Sequence, residues 1–235
     1  MLIDTNSPFY AAVAIGSTKV TGMVGRVDNE GAVNVLSYVA VSSADFIRKG
    51  RVYNVDKMTQ CLKNIRKRLE DQINCDIKQV YVALNCQGMR SITHIEERTF
   101  PQRITVQQEL IESLKADNRD KISHDQILID TLPQEYTMGA FSTIEPVGVM
   151  TDRIRAQFLN IVCNASAIEA IESCFRKAGL PIVRHTMAAD RLANVMTDEK
   201  ERSTGCAFVE MGSETTTVAV YRGKLLRHFA VLPLG

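Results

Sequence analysis

Residues 13–20 read Val-Ala-Ile-Gly-Ser-Thr-Lys-Val, a pattern that predicts a strand, a tight turn and a second strand. A similar stretch, residues 208–218, reads Phe-Val-Glu-Met-Gly-Ser-Glu-Thr-Thr-Thr-Val. In both, one glycine and small hydroxyl side chains separate two apolar runs, so that N–H and hydroxyl donors can approach a phosphate. An ordinary β-turn would explain either stretch alone. Two copies favour a pair of hairpins that face each other and clamp a polyphosphate between two lobes.

Composition limits the classes of protein to which the chain can belong. The 235 residues, 45% hydrophobic and 23% charged, suit a soluble globular protein of one large or two modest domains. A net charge of +1 leaves no excess of Lys and Arg to follow a nucleic-acid backbone, so no nucleic-acid partner is predicted. Residues 1–6, Met-Leu-Ile-Asp-Thr-Asn, lack the basic region and apolar core of a signal peptide. We therefore predict a cytoplasmic protein.

The cysteines and histidines give no sign of a metal site. The six cysteines are scattered without a Cys-x-x-Cys pair, and the four histidines are not at metal-ligand spacing. We expect buried, reduced thiols and predict no protein metal cluster. Asp190 has two interpretations, a charge at a helix N-terminus or a nucleotide contact.

The first part of the chain predicts a β-β-β-α-β unit. Residues 9–43 contain three strand patterns, and Asn54 is a candidate N-cap for a helix that runs to about Ile73. Residues 47–53 are interpreted as a polar loop between the third strand and the helix. Residues 80–84, Val-Tyr-Val-Ala-Leu, form the nearly continuous apolar run of a buried strand.

The middle of the chain predicts a strand-helix-strand-strand module inserted into a parent domain. Its helix is expected from a capping box at residues 105–108, and its next strand is expected to end or bend at Pro133. A further helix is expected from a second capping box at residues 166–169, ending before Gly179 in the C′ position.

The last part predicts a short strand at residues 182–183, a helix over 188–196 and two hairpins. The sequence stops at Gly235 directly after an apolar strand, from which we expect a longer parent protein.

Several stretches together resemble the bacterial FtsA family of cell-division proteins, within the actin-like ATPase superfamily. The resemblance runs from about Phe9 to Gly235 and includes both hairpins and residues 48–52, Arg-Lys-Gly-Arg-Val. Pro-Gln-Glu-Tyr at 133–136, followed by Pro-Val-Gly at 146–148, is the most discriminating, because it lies in the inserted module.

This resemblance implies an α/β, actin-like (ribonuclease H-like) fold. Subdomain 1A would comprise residues 9–85 and 180–204, and an inserted α+β subdomain, 1C, would comprise residues 86–179. Residues 205–235 would be the opening hairpins of subdomain 2A.

The resemblance also implies a scaffold that polymerises through subdomain 1C and tethers FtsZ filaments to the cytoplasmic face of the inner membrane. Other division proteins would be further partners, and a C-terminal amphipathic helix, expected beyond this sequence, would make the membrane contact. The implied cofactors are ATP and magnesium. The first phosphate loop would be formed by Gly16, Ser17, Thr18 and Lys19, and the second by Glu210, Gly212, Ser213 and Thr215.

Two departures from the superfamily pattern concern the metal and the hydrolysis step. Ala14 stands where an Asp usually helps to place the magnesium. In the second loop Glu210 replaces an Asp, and Glu214 replaces a Gly where phosphate should approach closely. We expect these changes to weaken nucleotide binding by the full-length parent without abolishing it, and to make hydrolysis poor. In this chain, we expect binding of ATP and magnesium to be weak or absent. No catalytic residue is assigned.

Two other functions remain open at this point. An active actin-fold ATPase or kinase would need an acidic group for base or metal work, and Ala14 argues against it. A PilM-like pilus assembly adaptor shares the inserted module, so that only its binding partner would separate it from a division protein.

Overall fold

The computed structural model describes residues 9–235, so the N-terminal hexapeptide considered above lies outside the described residues. The strands are β1 Phe9–Ile15, β2 Lys19–Val27, β3 Val33–Ser42, β4 Ile47–Arg48, β5 Arg51–Val52, β6 Val80–Leu84, β7 Arg90–Thr105, β8 Gln126–Met138, β9 Phe141–Thr143, β10 Met150–Asn164, β11 Ile182–Met187, β12 Cys206–Met211, β13 Thr216–Arg222 and β14 Leu225–Leu232. The helices are α1 Val55–Ile73, α2 Gln108–Asp120, α3 Ala165–Lys177, α4 Ala188–Met196 and α5 Glu199–Thr204.

The first sheet has five strands in the order β11-β6-β1-β2-β3. β1, β2 and β3 are antiparallel neighbours, whereas β6 is parallel to both β1 and β11. Alternate side chains of β1, among them Val13 and Ile15, are buried, as expected for strands with one face on a core. The predicted β-β-β-α-β unit is therefore confirmed.

Helix α1 covers the buried face of this sheet. Its Asn54 N-cap is confirmed, because the Asn54 side chain accepts a hydrogen bond of 3.0 Å from the Lys57 N–H. Met58, Leu62 and Ile65 are fully buried on one side of the helix. This is the apolar stripe that the helical spacing predicts.

The second sheet has seven strands in the order β12-β13-β14-β7-β10-β8-β9. It contains both the strands of the predicted insertion and the C-terminal hairpins. The two parts meet where β14 pairs with β7 at Ala230 and Arg90, and where the Val231 N–H donates to the Met89 carbonyl at 2.9 Å. The sheet thus joins strands of the predicted subdomain 1C to the hairpins predicted to open subdomain 2A.

Two hydrophobic clusters lie under these sheets. The larger contains α1, the first sheet, α3 and the inner ends of β8 and β10. The smaller lies between α2 and the outer part of the second sheet, and its members are Val106, Ile111, Leu114, Tyr136, Met138, Ile154, Ala156 and Phe158. Because α3 joins the larger cluster and packs against α1, it shares a core with the first part of the chain, although residues 86–179 were assigned to subdomain 1C as a whole. The subdomain boundaries themselves stay a prediction.

The end of α3 confirms Gly179 as C′. The Gly179 N–H bonds to the Arg176 carbonyl at 3.1 Å, and the Leu180 N–H bonds to the Phe175 carbonyl at 3.0 Å. These two bonds, with Gly179 at a φ of +67°, define a Schellman motif.

Several local predictions are wrong. Neither predicted capping box forms, because α2 and α3 begin after Gln107 and Asn164, and neither of these N-caps makes a side-chain hydrogen bond. A capping box does form at α5, a helix not predicted, between Asp198 and Glu201. Residues 47–53, interpreted as a loop, contain the short hairpin β4–β5.

Pro133 does not end its strand. β8 continues to Met138, and its pairing with β10 shifts between Gln157 and Phe158, opposite Pro133 and Gln134. The strand therefore accommodates the proline, which has no N–H, at a β-bulge.

The cysteines are free thiols, and four of the six are buried. Cys75 is exposed and Cys206 is half-buried, so the expectation of general burial is wrong for these two. Burial raises the pKa of the Cys61 thiol to about 11. Within residues 9–235, no helix has the length and hydropathy needed to cross a bilayer.

Candidate functional site

The two glycine-containing hairpin turns open into one cleft of about 270 Å³ between the first sheet and the second. All eight residues predicted from the sequence line it: Gly16, Ser17, Thr18, Lys19, Glu210, Gly212, Ser213 and Thr215. The sequence places these two groups almost 200 positions apart, and only the tertiary structure brings them together. Their role in nucleotide binding stays a prediction.

The two turns have the same backbone geometry. The Gly16 N–H donates to the Lys19 carbonyl at 3.0 Å, and the Gly212 N–H donates to the Thr215 carbonyl at 2.8 Å. A Cβ atom on either glycine would lie 3.0 Å from that same carbonyl oxygen, which is closer than an ordinary contact. The absence of a side chain at each glycine therefore favours this tight closure of the turn.

The third strand supports the first turn. Ser43, directly after β3, is fully buried and donates its hydroxyl hydrogen to the Gly16 carbonyl at 2.7 Å. Its N–H bonds to the Thr18 carbonyl at 3.0 Å. These two bonds fix the backbone at Gly16 and Thr18, which line the cleft together with Ser17.

The charged groups of the cleft come from different hairpins. Lys19 is exposed on the first, and Glu210 is half-buried on the second. Ala14, at the position of the first hairpin that corresponds to Glu210, also lines the cleft but carries no charge. An ammonium group on one side and a carboxylate on the other suit a ligand that joins an anion to a cation.

Asn85 connects the two lobes and was missed by the sequence analysis. Its side-chain N–H donates to Glu210 Oε2 at 2.9 Å, and its Oδ1 accepts from the Thr217 hydroxyl at 2.7 Å. Asn85 follows directly after the buried parallel strand β6, where ligand-binding groups of α/β sheets tend to lie. That position is the signal that could have identified it.

Glu214 does not act as the sequence suggested. We expected its carboxylate to stand where phosphate should approach, but Glu214 Oε2 accepts a hydrogen bond of 2.6 Å from the Lys49 N–H. The Lys49–Gly50 turn, between β4 and β5, also contacts the first hairpin, because the Gly50 N–H donates to Ser17 Oγ at 3.1 Å. This turn therefore forms a third element at the cleft.

Asp190 is buried, and its side chain has a hydrogen-bond partner outside the cleft. Its Oδ1 accepts a hydrogen bond of 2.8 Å from the Tyr221 hydroxyl on β13. Burial, followed by this hydrogen bond, raises the pKa of Tyr221. The bond fixes α4 to the second hairpin, and Ala188 at the start of α4 lines the cleft.

The cleft fits a polyphosphate better than a protein-bound metal centre. Five residues with hydroxyl side chains, the backbone donors and Lys19 provide an anion-binding surface. Across residues 9–235, no group of three or more His, Cys, Asp or Glu side chains could hold a metal ion. A magnesium ion here would be held chiefly by phosphate oxygens and water, with Glu210 as the carboxylate available from the chain.

A larger groove of about 540 Å³ lies elsewhere, between the end of α3 and β11. It is lined by Phe175, Arg176 and residues 179–185, and contains none of the predicted site residues. We place the candidate site at the smaller cleft because the repeated turns and the charges converge there.

Comparison with known proteins agrees with the resemblance. No family model matches the chain. The cell division protein FtsA of Porphyromonas gingivalis (strain ATCC BAA-308 / W83) is 27% identical over 230 residues, which cover 96% of this chain and 48% of that protein. FtsA of Escherichia coli (strain K12) is 27% identical over 240 residues, covering 99% of this chain and 56% of that protein. The chain thus spans about half the length of these relatives, and its predicted resemblance to FtsA is confirmed.

Solved structures agree with the fold. The PilM-PilN type IV pilus biogenesis complex contains a chain that matches with a TM-score of 0.59 at 16% identity, over 96% of this chain and 62% of that one. The ethanolamine utilization protein EutJ of Carboxydothermus hydrogenoformans matches with a TM-score of 0.52 at 12% identity, over 100% of this chain and 55% of that one. At such identities the likeness shows the fold alone, and the predicted α/β, actin-like class is confirmed.

Proposed function

We propose that this chain is the polyphosphate-binding part of an FtsA-like cell-division scaffold. The observation that carries the proposal is the convergence on one cleft of two turns closed by the same hydrogen bond, in a chain that resembles FtsA over almost its whole length. The resemblance supports the division role, and the geometry supports the binding site.

ATP with magnesium is the proposed ligand of the whole protein. The turns containing Gly16 and Gly212 would surround the phosphate chain, with Lys19 as the cationic partner of the terminal phosphates. Magnesium would supply charge neutralisation between the phosphates and Glu210. The cleft, at about 270 Å³, is small for a complete nucleotide, so this chain would hold the phosphates rather than the base.

The first experiment therefore uses tripolyphosphate, which carries the phosphates without the base. Calorimetry should show saturable binding by the 235-residue chain, with lower affinity for inorganic phosphate, because a single phosphate cannot reach both turns. Equal affinity for the two probes would contradict a two-hairpin clamp. Rapid turnover of ATP would contradict the expectation of poor hydrolysis and favour an active ATPase.

Self-association is proposed for the module of residues 86–179. Its outer end carries an exposed apolar group, made by Phe141 on the edge strand β9 together with Ile144, Val147 and Met150. Apolar side chains beside an unpaired strand edge favour contact with another chain. Analytical ultracentrifugation should show concentration-dependent assembly that Phe141→Glu abolishes, while the equivalent change at the exposed Val195 of α4, which is not on a sheet edge, leaves it intact.

FtsZ filaments are the proposed partner, and the cytoplasmic face of the inner membrane is the proposed location of the whole protein. A fluorescent fusion of the full-length parent should concentrate at the division site, and the purified parent should co-sediment with FtsZ. The alternative is a pilus assembly adaptor, supported at present by likeness of fold alone. Localisation at a pilus assembly site without FtsZ binding would favour that alternative.

A further inference from the structure

The turn between β4 and β5 contacts both hairpin turns of the cleft. Two successive backbone N–H groups point to different lobes, Gly50 to Ser17 Oγ at 3.1 Å and Lys49 to Glu214 Oε2 at 2.6 Å. Glu214 lies between Ser213 and Thr215, which line the cleft. Whatever fixes Glu214 therefore also fixes the donors on either side of it.

The Lys49–Gly50 turn is itself held firmly in place. Both residues have positive φ, +49° at Lys49 and +68° at Gly50. The Gln87 N–H donates to the Lys49 carbonyl at 3.0 Å, and a Cβ on Gly50 would lie 2.2 Å from the Asn85 carbonyl oxygen. Because the turn is wedged against residues 85–87, it provides a fixed support for a neighbouring loop.

The Glu214 side chain can act as a strap, that is, it can link the Lys49–Gly50 turn to the second hairpin. A carboxylate that accepts from a backbone N–H makes one of the stronger hydrogen bonds in proteins. The bond is exposed to solvent, so its strength comes from the charge of the carboxylate and from the fixed position of the Lys49 N–H. In this position the negative charge is directed to Lys49 rather than to the ligand.

We propose that Glu214 is a positioning residue, which straps the second hairpin turn to the Lys49 backbone and so sets the separation of the two phosphate-binding turns. The proposal rests on the proposed polyphosphate site. Donors that are already held in place bind an anion more tightly, because no conformational entropy is lost in ordering them when the anion binds. Substitution of Glu214 should therefore weaken polyphosphate binding, although the substitution also removes a negative charge close to the bound anion.

The test measures tripolyphosphate binding by the full 235-residue chain and three variants. Glu214→Ala should weaken binding about tenfold, the effect of losing one charged hydrogen bond. Glu214→Gln keeps an acceptor oxygen and should restore most of the affinity, to within about threefold of wild type. The control Glu199→Ala removes an exposed carboxylate that pairs with Lys224 and is not among the residues that line the cleft, and it should change nothing.

Hydrogen exchange provides a second measurement that does not depend on a ligand. The Lys49 amide should exchange faster in Glu214→Ala and slowly again in Glu214→Gln, because the amide is protected only while the strap exists. Unchanged exchange would contradict the bond itself.

The outcomes separate this proposal from the previous one. No tripolyphosphate binding by the wild-type chain overturns both. If the wild-type chain binds tripolyphosphate and Glu214→Ala binds it equally well, only the proposed role of Glu214 is overturned. Tighter binding by both Glu214→Ala and Glu214→Gln would show that Glu214 acts by charge repulsion, and would likewise overturn it.

Discussion

The two hairpin turns of the cleft share a backbone and differ in their surroundings. Both close with an N–H of glycine bonded to the carbonyl three residues later. The residue before the first glycine, Ile15, is 3% exposed in the core under the five-stranded sheet, whereas the residue before the second, Met211, is 81% exposed on an edge strand. The local pattern thus sets the turn, and the packing decides how strongly each turn is supported.

The chemistry of the two turns also differs. The first turn carries the ammonium group of Lys19, and the second carries the carboxylate of Glu210 within hydrogen-bonding distance of Asn85. Ala14 leaves the first without a matching acid. The comparison suggests that the first hairpin provides rigidity and positive charge, while the second depends on other segments for its position.

The largest difference expected between the hairpins is in stability. Ile15→Ala should lower the free energy of unfolding by about 3 kcal/mol, because it removes buried methyl groups and leaves a cavity. Met211→Ala, at the equivalent position, should change it by less than about 0.5 kcal/mol. Urea unfolding of the two variants measures both values, and similar losses would show that the second hairpin is packed as the first is.

A smaller effect is expected on binding when the charge of the first turn is removed. Lys19→Ala should weaken tripolyphosphate binding by about 2 kcal/mol, or about thirtyfold, because a charged hydrogen-bond donor is lost. Lys67→Ala, an exposed lysine on α1, is the matched control and should bind as wild type does. Equal losses in the two variants, measured by calorimetry, would indicate general charge attraction instead of a site.

The smallest effect is expected when the first hairpin is given the acid that it lacks. Ala14→Asp should weaken binding of metal-free tripolyphosphate about threefold, since it adds a like charge, and should strengthen binding about threefold when magnesium is present. Titrations with and without magnesium measure the two changes. A variant whose affinity moved in the same direction in both titrations would show that residue 14 is not beside the metal position.

Local sequence reasoning succeeded where short-range geometry decides structure. The Asn54 N-cap, the Schellman motif at Gly179 and the strands on either side of Gly16 each depend on residues only a few positions apart. It failed where several local choices were compatible with the pattern. The capping boxes expected at 105–108 and 166–169 do not form, because α2 and α3 begin at other residues. Of the two outcomes expected at Pro133, an end or a bend of the strand, the structure has no end but an irregularity in the pairing with β10.

The sequence by itself determined that the chain has two glycine turns between apolar strands, because turn shape and strand alternation are properties of a few consecutive residues. The eight candidate site residues around these turns followed from the resemblance of the sequence to the FtsA family. The tertiary structure alone decided that these turns share one cleft, that Asn85 joins Glu210 to Thr217, and that Glu214 bonds to Lys49 from 165 positions away. Such contacts depend on how the two sheets pack against each other, and no local pattern records that arrangement.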